Sequence, residues 1–231
     1  MLKLLRKKIK QAANPAKAKI LRGFFKTGKG QYGEGDIFLG ITLPIQRDLA
    51  KKYGADLSLA DLDKLIKSKI HEERLIALLI LVYQFQKNEA ARQKIYNFYL
   101  AHTKYINNWD LVDLSAPKIV GAYLWGKDKK ILYKLAKSKN LWEKRIAILS
   151  TFYDIYYKKA GDALKISELL LKDQHDLIHK AVGWMLREIG KRCDEKLLFN
   201  FLDLHKKKMP RTMLRYAIER LPEKKRKFYL K

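Results

Sequence analysis

Glu143-Lys-Arg-Ile-Ala-Ile-Leu-Ser-Thr151, read as EKRIAILST, decides the fold because the chain repeats its pattern. EERLIALLI occupies 72–80, IHKAVGWML occupies 178–186 and MLRYAIERL occupies 213–221. Aligning Arg74, Arg145, Lys180 and Arg215 brings the apolar residues that follow into register, at separations of 71, 35 and 35. The first interval is about twice the others, so one further copy is expected between Arg74 and Arg145. One period before Arg145 is Asp110, inside Asn107–Pro117, NNWDLVDLSAP. A period of this length lies in the range of helical repeats. Each unit would be a helix pair that cannot bury its apolar face alone and must stack on its neighbours.

Working outward, helix signals run the length of the chain and strand signals are nearly absent. Proline and glycine punctuate the helices. Helices are expected at 2–13, 15–26, 44–53, 59–68, 71–86, 88–103, 108–115, 117–125, 127–137, 141–158, 161–171, 176–191, 194–205 and 210–220. A Gly-rich loop, Gly28–Gly35, interrupts them. The expected fold is all-α: one superhelical solenoid of HEAT-like helix-pair repeats spanning residues 1–231, with a basic concave face.

The basic face follows from charge. The 231 residues carry a formal net charge of +26, with a pI near 9.9. An excess of that size points to a polyanion, with nucleic acid ahead of an anionic membrane surface. Apolar residues at 48% argue for a packed core and against disorder. Cys193 is the only cysteine, which excludes a disulfide framework within the chain and fits a reducing cytoplasm. The start, MLKLLRKKIKQAA, reads as a basic amphipathic helix and lacks the apolar core of a signal peptide. The longest apolar run, Leu75–Tyr83, is too short to cross a bilayer.

The missing repeat carries acids where its neighbours carry cations. On a helix, Trp109 and Asp113 are four residues apart and share a face. Asn108 reads as an N-cap. Asp110, beside the helix start, reads as structural, which leaves Asp113 as the acid open to chemistry. Trp184 is one turn after Lys180, on the face expected to bear Arg145. Two tryptophans, one acid and one arginine would suit a cationic group attached to a phosphate backbone, because Trp faces attract cations and Arg binds phosphate bidentately. Two readings of the cation column stand open. Each member is either a phosphate contact or a rung in an internal hydrogen-bonded ladder. The tryptophans likewise read as a binding surface or as core.

Four motifs in order, FLGITLPIQR at 38–47, NWDLVD at 108–113, WEKRIAIL at 142–149 and AVGWMLREIGK at 181–191, resemble the AlkD-type DNA alkylation-repair glycosylases. The likeness runs over nearly the whole chain. It implies removal of cationic N3- and N7-alkylated purines from double-stranded DNA. No cofactor, no metal, no membrane and no obligate protein partner are expected, and the protein is expected to be a monomer. By resemblance, Trp109 and Trp184 cradle the lesion nucleotide, Asp113 is the catalytic carboxylate and Arg145 lies beside it. Tyr32 corresponds to a tyrosine that reaches the DNA, and Arg74, Lys118, Lys180 and Arg215 fall among the DNA-binding cations. Asp113 would stabilise positive charge developing on deoxyribose and direct water to C1′. The family is thought not to need the base-flipping pocket that most base-acting enzymes use. A non-enzymatic HEAT-repeat scaffold binding DNA or RNA is the alternative.

Other signals carry less. Gly28–Gly33 is a formal GxGxxG, but no βαβ unit surrounds it. His175 and His179 are spaced as in a zinc helix, yet HDLIH lacks the glutamate and no third ligand group is visible. The C-terminal run EKKRKFYLK reads as a solvated end.

Overall fold

The computed structural model describes all 231 residues, and it contains no β-strand. The chain divides into two compact units, Met1–Ser115 and Ala116–Lys231.

In the first unit the helices are α1 (Leu2–Gln11), α2 (Pro15–Phe24), α3 (Leu43–Tyr53), α4 (Leu59–Ile66), α5 (His71–Lys87), α6 (Arg92–Ala101) and α7 (Trp109–Ala116). Their starts are written locally. Asn14 caps α2 by accepting the Lys17 N–H, and Pro15 supplies a preset φ at the first position. Ser58 and Asp61 form a reciprocal capping box on α4. α5 is the core element, with every residue from His71 through Val82 buried. A helix apolar on all sides must be covered on all sides. α3 and α4 pack on it.

The head of α5 is the exception to that apolar character. His71, Glu72, Glu73 and Arg74 are all buried and all partnered. The Glu72 carboxylate accepts the backbone N–H groups of Leu39, Gly40 and Ile41 at 2.8–3.2 Å. Glu73 pairs with Arg6 of α1 at 3.1 Å. Gly40 has φ +84, and a Cβ there would lie 2.1 Å from the Asn14 carbonyl oxygen. The chain can therefore pass from the Gly-rich loop to α3 only with glycine at this point.

In the second unit the chain begins as a π-helical stretch, Pro117–Gly121. It continues through α8 (Lys130–Ala136), α9 (Leu141–Ser150), α10 (Phe152–Tyr156), α11 (Gly161–Leu169), α12 (Asp176–Arg192), α13 (Glu195–His205), α14 (Arg211–Ala217) and α15 (Glu223–Leu230). α8 packs on α9, α9 on α12, and α12 on both α13 and α14. A Cβ on Gly183 would lie 2.5 Å from both the Met213 carbonyl oxygen and the Tyr216 Cβ, so α12 and α14 approach closely because residue 183 has no side chain.

The sequence repeat extends to a turn that precedes three of the helices. The Ile70 N–H donates to Ser68 Oγ at 3.1 Å, the Asn140 N–H to Ser138 Oγ at 3.0 Å and the His175 N–H to Asp173 Oδ1 at 2.8 Å. The same short polar turn thus feeds α5, α9 and α12.

Three segments differ from the sequence reading. The helix expected at 141–158 breaks at Thr151. Ser150 Oγ donates to the Ile146 carbonyl at 2.7 Å and Thr151 Oγ1 to the Ile148 carbonyl at 2.6 Å, and hydroxyls bonded back in this way bend a helix. The segment expected as an α-helix at 117–125 is π-helical over its first five residues. The C-terminal run is a helix, α15. Its Tyr229 is buried, and Arg211 Nη1 donates to the Leu230 carbonyl at 2.7 Å.

Glu72→Ala leaves two buried N–H groups and one part-buried one without their acceptor and should destabilise the protein by about 3 kcal/mol. Glu72→Gln, which keeps one carbonyl oxygen, should cost less. Urea unfolding measures both, and a Glu72→Ala variant as stable as wild type contradicts this account of the loop.

Candidate active site

The helix bearing Trp109 and Asp113 is fixed at its first turn by side chains from three other segments. His71, at the head of α5, lies between two carboxylates. Its Nε2 donates to Asp110 Oδ2 at 2.8 Å and its Nδ1 to Asp36 Oδ2 at 3.1 Å. Asp36, at the end of the Gly-rich loop, also accepts from Arg74 Nη2 at 2.6 Å. Asn108 is fully buried and bridges the same cluster: its amide nitrogen reaches Asp36 at 3.4 Å and its Oδ1 accepts the Trp109 N–H at 2.8 Å.

The imidazole is also enclosed by rings. Phe38 stacks on it at 4.4 Å and Phe25 lies at 5.1 Å. Phe25 in turn stacks on Trp109, with centroids 5.2 Å apart and planes 15° from parallel, while Phe24 meets the indole edge-on. One face of Trp109 is therefore spent on packing, and the residue remains half-buried.

With both ring nitrogens donating to carboxylates, His71 is an imidazolium. Burial opposes its charge, but Asp110 and Asp36 outweigh burial and the pKa lies above the ordinary histidine value. Burial likewise works against the Asp36 carboxylate, and the hydrogen bond from His71 with the charge of Arg74 holds it below the ordinary aspartate value. Two cations and two carboxylates thus close a neutral set out of contact with water.

Asp113 is on the next turn of α7 and is half-buried. The fully buried Tyr99 phenol hydrogen-bonds Ser115 Oγ at 3.0 Å. Burial pushes the Tyr99 pKa up and the negative charge of Asp113 adds to the rise, against the hydrogen bond to Ser115.

Arg74 requires a correction. It was grouped with the DNA-binding cations, but its guanidinium is buried between Asp36 and the Ser68 carbonyl. The Gly-rich loop folds Asp36 onto it, so its charge is neutralised internally and it is a rung of the ladder. Tyr32 is half-buried in the loop.

In the second unit Arg145 is buried, and its Nη1 donates to the Leu177 carbonyl at 2.6 Å, tying α9 to α12. Trp184 is half-buried, with the Phe152 ring 6.0 Å away. Lys180 is partly exposed and pairs with Asp176 at 2.6 Å. Lys118 is exposed on the π-helical stretch, and Arg215 is exposed on α14. His175 accepts the Leu177 N–H through Nδ1, and His179 Nε2 donates to the Asp173 carbonyl, so both imidazoles of HDLIH serve the backbone. No group of three or more His, Cys, Asp or Glu side chains is arranged to hold a metal ion.

Sequence reasoning missed His71, Asp36 and Tyr99. The available signal was HEER, four ionisable residues at the head of the most apolar helix, which could not all reach water.

An all-helical chain of repeated helix pairs, carrying a tryptophan and a carboxylate on a helix anchored by buried charge, is a helical-repeat protein with a candidate polar site. The DNA alkylation repair enzyme family model matches residues 5–221, and the chain belongs to that family. It is accordingly an enzyme of DNA alkylation repair, which implies DNA binding. A solved structure described as a predicted DNA alkylation repair enzyme from Enterococcus faecalis shares the fold. The TM-score is 0.67 at 18% identity, covering 91% of this chain and 97% of that one. No curated protein matches the chain in sequence. No helix is long and apolar enough to cross a membrane.

The sign of each titration sets a pH window for the buried cluster. The folded pKa of His71 is raised, so its contribution is complete below the unfolded value of 6.5 and is lost as pH rises through the folded value. The folded pKa of Asp36 is lowered, so its contribution is present above 3.8 and is lost as pH falls through the folded value. The His71 ring should therefore titrate above 6.5 by NMR, and stability should decline on the alkaline side in wild type but not in His71→Gln. An imidazole titrating at or below 6.5 overturns the assignment.

Proposed function

We propose that this protein is a DNA glycosylase that hydrolyses the N-glycosidic bond of cationic N3- and N7-alkylpurines in duplex DNA. The observation that carries it is the anchoring of the Trp109–Asp113 helix by a buried, charge-balanced cluster. A half-buried carboxylate on a rigid helix turn, in a chain of this family with a +26 charge, is suited to meet a cation within a polyanion.

N3 or N7 alkylation makes the base a good leaving group, so no general acid is needed. The bond from C1′ to the base nitrogen breaks and the electron pair leaves with the base. Asp113 stabilises the positive charge left on deoxyribose and directs the water that forms the new C1′–O bond. The ring faces of Trp109 and Trp184 favour that cationic character. Lys118, Lys180 and Arg215 are assigned to the phosphates and Tyr32 to the DNA beside the Gly-rich loop, while Arg145, buried and bonded to the Leu177 carbonyl, is assigned as a positioning residue on α9. The reading takes no cofactor, a monomer, and action without base flipping.

Release of free N7-methylguanine from a defined duplex tests it. Wild type should release the base, and Asp113→Asn should be slower by about a hundredfold or more while binding the duplex nearly as well. Release at equal rates removes Asp113 from the chemistry. No release by wild type, with tight salt-dependent binding, makes the protein a DNA-binding scaffold instead.

A further inference from the structure

The second unit carries a row of aromatic rings of which only the first, Trp184, belongs to the candidate site. The Trp184 ring, on α12, lies 6.0 Å from that of Phe152 at the start of α10. Arg192, at the end of α12, holds its guanidinium over Phe152 at 5.4 Å and over Tyr156 at 5.5 Å. Tyr156 lies 5.3 Å from Tyr157, and Tyr157 lies 4.7 Å from Trp125. Tyr153 closes the far end, 5.1 Å from Tyr157 and 5.9 Å from Trp125.

None of these pairs is face to face. Their interplanar angles run from 40° to 82°, whereas Trp109 lies only 15° from parallel with Phe25. Tilted rings do not cover one another, and Tyr156 and Tyr157 are 60% and 49% exposed. What rests on the row is charge on long side chains. Lys158 takes a left-handed φ of +61 just past α10, and the Lys159 N–H donates back to the Asp154 carbonyl at 2.9 Å. That turn brings the Lys159 ammonium 4.4 Å from the Trp125 ring centre. Lys127 and Lys158 are exposed beside it in the chain. Of the carboxylates close to the row in sequence, Asp154 and Glu188 are buried and paired with Lys129 and Arg192, and Asp128 pairs with Lys130.

Exposed ring faces interleaved with cations are what a single strand needs, because rings stack on bases while cations follow the phosphates. A duplex hides its base faces between neighbouring pairs, so these rings could reach only bases that are unpaired. A cationic guest is disfavoured by Lys127, Lys158, Lys159 and Arg192 around the rings.

We propose that the row from Trp184 to Trp125 is a stacking surface for unpaired bases of a single-stranded nucleic acid. Tyr157 and Trp125 take bases on their faces, and Lys159 moves from the indole to a phosphate. The recognition is of base faces rather than of the backbone, and it requires no base release. It therefore stands or falls separately from the glycosylase reading.

The test uses the full-length protein and three probes of equal length: oligothymidylate, an abasic single strand with the same phosphates, and an undamaged duplex. Wild type should bind oligothymidylate about tenfold more tightly than the abasic strand. Tyr157→Ala and Trp125→Ala should each bind oligothymidylate about tenfold more weakly, with the abasic strand and the duplex bound as before. Tyr157→Phe, which keeps the ring, should bind as wild type does. The salt slope of Tyr157→Ala should be unchanged, since no phosphate contact is removed. Equal binding of oligothymidylate and the abasic strand by wild type overturns the proposal, as do alanine variants that bind oligothymidylate normally. Equal losses on all three probes also overturn it and reduce the row to part of a general binding surface. Circular dichroism checks the fold of each variant, and the exposed Tyr157 decides if Trp125→Ala does not fold.

Discussion

The first unit depends on the neutralisation of charge at the head of α5. His71, Glu72, Glu73 and Arg74 are buried in sequence at the start of the helix that forms the core. A buried ion without partners costs several kcal/mol, so each of these four dictates what must lie against it. Glu72 demands N–H donors and receives three from the loop at Leu39–Ile41. Glu73 demands a cation and fixes Arg6 of α1. His71 and Arg74 demand carboxylates and receive Asp36 and Asp110. The Gly-rich loop, α1 and the start of α7 are thereby placed by one turn of one helix. Such a cluster adds little net stability over an apolar core, but it allows few alternative arrangements.

This explains why Asp110 and Asp113, three residues apart on one helix, have different environments. Asp110 faces α5 and is occupied by the imidazolium. Asp113 is a turn further along, near Tyr99 and Ser115, in half-buried surroundings. The first acid orients the helix and the second is what the helix carries. Trp109 shows the same division within one residue, since one ring face packs against Phe25 while the side chain remains half-exposed.

The repeat was legible because it rests on apolar periodicity, which survives divergence of the individual residues. All four aligned positions, Arg74, Arg145, Lys180 and Arg215, fall within helices, α5, α9, α12 and α14, although the last copy runs four residues past the end of α14, and Asp110, found by subtraction, falls within α7. Several helix starts carry cap residues that the structure shows at work, with Asn14, Ser58 and Asp194 each bonding the first turn. What was illegible came from tertiary partners. Nothing in the spacing of Arg74 reveals that Asp36, 38 residues earlier, folds onto it. The break at Thr151 depends on two hydroxyls turning back on their own helix, a choice that Ser and Thr make by context. The π-helical stretch at Pro117–Gly121 and the burial of Tyr229 on α15 are likewise set by neighbours rather than by local pattern.

The two basic residue types are divided by task, and the division bears on how a charge of +26 is used. No lysine is buried, whereas Arg74 and Arg145 both are. A guanidinium is more weakly hydrated than an ammonium and can satisfy several acceptors in fixed directions, so it is the cation that tolerates the interior. Arg74 bridges a carboxylate and a carbonyl, and Arg145 donates to the carbonyl of Leu177. The lysines stay at the surface, where mobile ammonium groups give a long-range field that draws in a polyanion without specifying its position. Positional specificity then falls to groups whose geometry is fixed. Under the proposed glycosylase reading those are arginines held by their neighbours and the carboxylate on α7. Electrostatic attraction and chemical selectivity thus belong to different side chains, and a salt series separates them, since the first is screened while buried contacts are screened much less.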